Sequence, residues 1–362
     1  MSSLEKITDY LDARLGLREI LRKNFTGYLL PRNINIWYAL GSVLLTLFAI
    51  QIVTGILLLV YYIPSTKQAF ESVERIMNDV PFGWLFRSVH AIGANVIIIA
   101  LLFHMLSVLF MGAYKKPREL TWVAGFLLFL VSLGMCFTGY LLPWSQLSFW
   151  ATTVATRSAG VIPVIGDTLL RFLRGGTDVG QRTLGLFFAL HVAGLPLLVG
   201  LLVLAHLFLV RRIGVSAPPF GPDFQPQRSF HEKHPDGIPF FPNYATKDLA
   251  VISLFLALLA GIVFFAPWLF LPDVAFTPAD PYTTPIGIKP EWYFLAAYQT
   301  LRLLPSEAAG LAVQAVALAF LFFLPFIDRG EERRPARRPL FLCLFIIGVM
   351  LYAGLTIWGH FS

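Results

Sequence analysis

Seven stretches of this 362-residue chain run for about twenty residues with almost no charge, and no other feature restricts its fold as strongly. They lie at roughly 36–62, 84–111, 121–142, 184–210, 249–271, 309–327 and 339–358. A hydrocarbon layer about 30 Å thick is crossed by about 20 residues of helix. Lipid offers no partner to a backbone N–H or C=O, so each stretch has to be a helix that satisfies its own. Mean hydropathy of +0.70 with 14% charged residues excludes an ordinary soluble domain. The expected fold class is therefore an all-α membrane protein with seven transmembrane helices.

Seven crossings put the termini on opposite sides, and the basic residues decide which is which. With the N-terminus inside, 19 of the 28 Lys and Arg fall in inner segments and 9 in outer ones. The chain reads as N-in and C-out, and its net charge of +7 is an orientation signal that calls for no nucleic acid. Residues 1–33 carry charges throughout and show no apolar core of a cleaved leader. Their apolar spacing (Leu4, Ile7, Leu11, Leu15) suits a helix lying on the membrane surface. Four spans then form a block, 34–215, expected to be a four-helix bundle. A Pro-, Gly- and charge-rich inner linker occupies 216–247, and 248–362 holds the last three spans. Two outer segments, 145–182 and 273–308, are long enough to close over one site, the first as short amphipathic helices. Cys136 and Cys343 fall inside spans, where a small buried hydrophobe is the simpler reading than a disulfide or metal ligand.

Four of the seven histidines lie within spans: His90 and His104 in the second, His191 and His206 in the fourth. An intramembrane histidine is costly enough to suggest a function. An interval of 14 residues is about 21 Å of helix and returns within about 40° of the same face; 15 residues give about 22 Å and 60°. Both spans run outside to inside, so His90 faces His191 near the outer leaflet and His104 faces His206 near the inner one. Two facing imidazoles are the axial set of a b-type haem whose iron is closed to other ligands. Gly41 and Gly55 in the first span, and Gly125 and Gly139 in the third, repeat the 14-residue interval. Bare backbone at those depths leaves room for a flat macrocycle, though glycines also serve plain helix contacts. A proton relay or a hydrogen-bonded helix contact is the other reading of the histidines. Arg87, one turn before His90, suits a haem propionate or a snorkelling anchor.

The segments "GSVLLTLFAIQIVTGILLLVYY", "FRSVHAIGAN", "TGYLLPWSQLSFWATTV", "KKPRELTW", "NYATKDL" and "IKPEWYFLAAYQTLR" resemble cytochrome b of the cytochrome bc complexes. The resemblance runs from about Asn33 to the last span. The His191–His206 interval and "IPVIGDTLLRFLRGG" are similar to the b6f branch, and three spans after the linker give a chain like b6 fused to subunit IV. Three positions depart from that branch. Ala39 stands where the cysteine of a covalent third haem would be, which speaks against that haem. Leu186 and Ser107 stand where arginines are usual, with Arg182 as a substitute for the first.

The resemblance implies two haems b, an outer low-potential one on His90 and His191 and an inner high-potential one on His104 and His206. It implies quinol oxidation at an outer site walled by Phe137, Tyr140, Pro290, Tyr293 and Tyr298, with Ala151 and Thr152 on the covering helix. Glu291, on the outer side, is suited to accept a quinol proton and release it outward. Burial beside Trp292 would raise its pKa. The structural alternative is a helix cap or a salt bridge to Arg302. On the inner side the resemblance implies quinone reduction beside Arg211, with Asp248 as proton donor and Lys247 in its uptake path; all three also fit interfacial anchors.

The implied activity is that of a quinol:cytochrome c oxidoreductase subunit with proton translocation. One quinol electron goes to a Rieske iron–sulfur protein, and the other crosses the two haems to the inner quinone. Two cysteines cannot ligate an iron–sulfur cluster, so that partner is a separate protein. A c-type cytochrome subunit, a homodimeric complex and a bacterial-type inner membrane are implied with it. Two other classes compete: a di-haem anchor of a dehydrogenase with a single quinone site, and a proton-coupled transporter using the histidines as a relay.

Overall fold

The computed structural model describes residues 3–220, 224, 230–231 and 234–362. Residues 221–223, 225–229 and 232–233 of the linker, and the side chain of Leu4, lie outside the described residues. Seven helices are long and apolar enough to cross a membrane: Ile36–Leu59, Gly83–Phe110, Glu119–Leu141, Gln181–Ile213, Phe240–Phe265, Glu307–Ile327 and Pro339–Phe361. The fifth differs most from its expected bounds. It is traced from Phe240, nine residues before 249, because the chain is already helical from Pro242 on, after a kink at Phe241 (φ −105°, ψ 134°), and it ends at Phe265 because Pro267 cannot continue the ladder. Ser3–Leu15 is helical, with Ile7, Leu11 and Leu15 exposed.

The first span packs on the second and the third on the fourth, so the histidine-bearing spans belong to different pairs. The fifth span lies against the first two, and Leu259 and Val263 join Val43, Leu47, Ile92 and Val96 in one buried cluster. The sixth packs on the third, where Trp122 Nε1–H donates to the Leu321 carbonyl at 2.8 Å. The C-terminal block is thus clasped to the four-helix bundle. On the inner side Asp328 accepts from Lys115 at 2.7 Å and from Tyr114 and Arg338, joining the loop after the second span to the loop after the sixth. Burial pushes the Asp328 carboxyl up, but the Lys115 and Tyr114 hydrogen bonds and the Arg338 charge outweigh it and hold the group below the usual range.

The two outer segments meet. Gln146–Ala159 opens with a Ser145/Ser148 capping box, and Gly166–Arg174 follows it. Gln146 Nε2–H donates to the Thr283 carbonyl at 2.9 Å, its Oε1 accepts from the Asp280 N–H at 2.8 Å, and Trp150 Nε1–H reaches the Asp280 carbonyl at 3.2 Å. Cys136 is partly buried, but Cys343 is exposed on the seventh span, contrary to its reading as a buried hydrophobe, because the rest of the described chain leaves that helix largely uncovered.

Candidate functional site

The rings of His90 and His191 face each other with centroids 6.1 Å apart and planes at 80°. That separation is of the order produced by two ring nitrogens each about 2 Å from a shared metal. Hydrogen bonds fix both tautomers. His191 Nδ1 lies 3.0 Å from the Met135 carbonyl, which only accepts, so Nδ1 carries the proton. The Thr54 hydroxyl donates to the Ile50 carbonyl at 2.7 Å, and so accepts from His90 Nδ1 at 2.9 Å. Each Nε2 is left with its lone pair, the form a metal needs.

His104 and His206 line one cavity of about 460 Å³, and the Nδ1 atom of each is buried without a hydrogen-bond partner. Gly41 and Gly125 also line it. A Cβ on Gly55 would come 3.1 Å from His90, on Gly125 3.1 Å from His206, and on Gly139 2.4 Å from His191. The glycines therefore seat the histidine rings directly, a closer role than making room for a macrocycle. Gly41 has open space around it. Among the described residues no three His, Cys, Asp or Glu side chains gather as a metal site. Paired histidines, the free Nε2 atoms of His90 and His191 and the glycine cradles fit a haem, a group that asks the protein for two ligands only.

The unequal intervals have a structural resolution. Leu190–Gly194 forms a π turn inside the fourth span, closed by the Leu195 N–H on the Leu190 carbonyl. Such a turn carries one extra residue. It takes back much of the roughly 100° by which a 15-residue interval overruns a 14-residue one, and so re-aims His206 relative to His191. Pro196, which lacks a donor, fits just beyond it. Arg87 lines a separate outer cavity of about 130 Å³ with Glu74 and Asn78. Ala39 is fully buried, Arg182 is exposed, and the Ser107 hydroxyl donates to the His104 carbonyl at 2.8 Å. Arg118, not singled out from sequence, faces the inner cavity.

Glu291 occupies the N-cap of Trp292–Leu303, yet its side chain makes no cap bond. Arg302 donates instead to Ser362 Oγ at 2.9 Å and lies 5.7 Å over the Tyr298 ring. Both structural alternatives for Glu291 thus fail. Its carboxyl sits beside the Tyr140 hydroxyl; burial pushes its pKa up to about 7 against the lowering hydrogen bond from Tyr140. Tyr293 and Cys136 complete this cluster, and Phe137 reaches it edge-on to Phe294 at 6.5 Å. Tyr298 lies further along the same helix. Ala151 and Thr152 are buried on Gln146–Ala159, and Thr152 Oγ1 has no partner. Pro290 precedes the cap, partly buried.

Asp248 and Arg211 line the inner cavity with His104 and His206. Asp248 accepts from Ser42 at 2.7 Å through Oδ2, and the Tyr244 hydroxyl is buried beside its carboxyl. Arg211 stacks 3.9 Å over Tyr28 and donates to Asn24 Oδ1 at 2.6 Å. Lys247 is exposed and does not line the cavity, since adjacent residues on a helix point about 100° apart. Ser42 was not legible from sequence, because its partner Asp248 comes from a distant span, whereas Tyr244 lies one helical turn before Asp248 on the same span.

Comparison with known proteins gives the same answer from both ends of the chain. A family profile described as "Cytochrome b/b6/petB" matches residues 25–214, and one described as "Cytochrome b(C-terminal)/b6/petD" matches residues 278–362. The cytochrome b of Rickettsia prowazekii is 39% identical over 342 residues, covering 94% of this chain and 83% of the relative. That of Allochromatium vinosum is 40% identical over 335 residues, covering 90% and 80%. The cytochrome b/c1 of Bradyrhizobium diazoefficiens is 37% identical over 331 residues, covering 91% of this chain and 47% of the longer relative. A solved chain of a hyperthermophilic respiratory Complex III superposes with a TM-score of 0.90 at 38% identity, covering 97% and 91%. Seven spans, two histidine pairs and these matches agree: the chain is an integral membrane protein that belongs to the cytochrome b family, as the cytochrome b of a bc-type, Complex III-like assembly.

Proposed function

We propose that this chain oxidises quinol at the Glu291 site, dividing the electrons between a Rieske iron–sulfur partner and its own two haem sites, and reduces quinone in the inner cavity. His90 with His191 and His104 with His206 would hold the haems, which supply one-electron transfer at irons closed to other ligands. The chain's own residues handle the protons. Quinol oxidation releases two: the Glu291 carboxylate takes one from a quinol hydroxyl and passes it outward, and the other leaves the second hydroxyl on the side of the iron–sulfur partner, with the electron that goes there. A carboxyl with a pKa of about 7 exchanges protons readily in both directions near neutrality. Tyr140 and Tyr293 hold the acid in place, Phe137, Pro290 and Tyr298 shape the apolar wall, and the covering helix with Ala151 and Thr152 excludes water. On the inner side Asp248, hydrogen-bonded to Ser42, gives its proton to reduced quinone, while Arg211 and Arg118 favour negative charge. Lys247 lies at the membrane boundary, where it draws protons only from outside the cavity.

In this reading the Glu291 side is the outside, the N-terminus is inside a bacterial-type plasma membrane, and the complex is a dimer with a c-type cytochrome subunit. The name of the Bradyrhizobium relative, joining b and c1 in one chain, supports that last partner. Domain bounds of 1–33, 34–215, 216–247 and 248–362 go with it. Membership of the cytochrome b family argues against a transporter and against a single-site haem anchor.

One observation carries the proposal: a carboxyl without an ion pair among the described residues, tuned near neutrality, beside the Tyr140 hydroxyl and next to Trp292, which is bonded to the span that bears His90. Its test is Glu291→Gln in the assembled complex. Quinol oxidation is expected to fall on the order of 100-fold with both b haems retained. A rate close to that of the unmodified complex would end the acid's role.

A further inference from the structure

Within the second span, Asn95 is polar, 6% exposed and five residues past His90. A buried amide in a membrane helix is costly unless its hydrogen bonds are made. Those of Asn95 are made and directed: Nδ2–H donates to the Ala91 carbonyl at 3.2 Å, which leaves Oδ1 as acceptor for Trp292 Nε1–H at 2.9 Å. An indole N–H only donates, so the bond can run one way. Trp292 is the first residue of Trp292–Leu303, and Glu291 precedes it in extended backbone (φ −54°, ψ 150°) with no cap bond to fix its side chain. The direction of the carboxylate is therefore set by two things, the hydrogen bond to Tyr140 and the place where residues 291–292 enter the helix. The bond that fixes this entry spans 197 residues of sequence and ends on the helix that carries an outer histidine.

We infer that Asn95 is a positioning residue for the outer acid, holding Trp292, and through it Glu291, in register with the span that bears His90. The inference rests on the proposed role of Glu291. It goes beyond that role by assigning the acid's alignment to a side chain on another element. Asn95 touches neither quinol nor haem in this account. Its effect is on the geometry of proton transfer and not on the apolar wall that binds the quinol ring, so it belongs in kcat and not in KM.

The test uses the assembled complex in membranes, with haem content scored per chain. Asn95→Leu, of similar size, is expected to lower kcat for quinol oxidation about threefold to tenfold, as losing one buried hydrogen bond allows, with KM and both b haems unchanged. Trp292→Phe removes the donor, and is expected to give a similar loss that the double variant does not deepen. In a Glu291→Gln background, Asn95→Leu is expected to cost nothing further. An unchanged kcat in Asn95→Leu while Glu291→Gln is impaired overturns the positioning role alone. So does an equal further loss in the Glu291→Gln background. Full activity of Glu291→Gln overturns the acid's role and the positioning role with it.

Discussion

Deleting Ala193 should leave both haem sites intact, whereas deleting Leu201, eight residues further on, should cost the inner one. Both residues are exposed on the fourth span, so neither deletion removes a core contact. The difference lies in helical phase. In the second span the 14-residue interval from His90 to His104 closes within about −40°. A straight 15-residue interval from His191 to His206 would stand at about +60°, and the π turn at Leu190–Gly194 takes much of that back. Removing Ala193 lets the turn relax to α-helix and leaves a 14-residue interval at about −40°, matching the second span. Removing Leu201 shortens the α-helical part and keeps the π turn, which Pro196 helps to hold. His206 then swings to about −100° or beyond, away from His104. The assay is haem b per chain, read with the reduced-band spectrum and with chain level in the membrane as the folding check. The expected values are two haems for the Ala193 deletion and one for the Leu201 deletion. Loss of a haem on deleting Ala193, with both retained on deleting Leu201, would refute the phase argument.

Other outcomes follow from the same geometry. The base form of Glu291 is the carboxylate, present above a pKa of about 7, so quinol oxidation should fall about tenfold per pH unit below that point and level off above it; Glu291→Gln should abolish this limb in a pH–rate profile. Gly139→Ala places a Cβ 2.4 Å from His191 and should lose the outer haem by the same haem assay. Asp328→Asn leaves Lys115 and Arg338 buried without their anion and should destabilise the chain by about 3–5 kcal/mol, read as a lower temperature for loss of the haem spectrum. Because the folded Asp328 carboxyl titrates below its ordinary range, its contribution is fully present above that range and should disappear as the pH falls through the folded value.

Much of the haem frame was legible because helix geometry converts sequence spacing into depth and direction. His90, His104, His191 and His206 needed only the period of an α-helix to be paired. The departures came where that period is interrupted or where a partner lies far away in sequence. The π turn carries no compositional mark beyond Pro196. Cys343 is exposed because the rest of the described chain leaves the seventh span largely uncovered, and Lys247 points away from the cavity that its neighbour Asp248 lines. Arg302 carried a charge suited to Glu291 and a plausible spacing, but the end of the seventh span offers Ser362 at 2.9 Å. Asn95 could have been suspected from its polarity inside an apolar span; nothing in the sequence pointed to Trp292 as its partner.

The sequence by itself determined that the chain crosses a membrane seven times and carries two histidine pairs at two depths. Lipid leaves helices as the only way for these segments to satisfy their backbones, and a helix has a fixed rise and turn per residue. Tertiary structure alone decided which ring nitrogens stay free, how the outer segments clasp over the site, and which neighbours leave Glu291 without a cation. These are contacts between residues 36 to 197 positions apart, where packing and loop closure set the distances and no local period exists to be read.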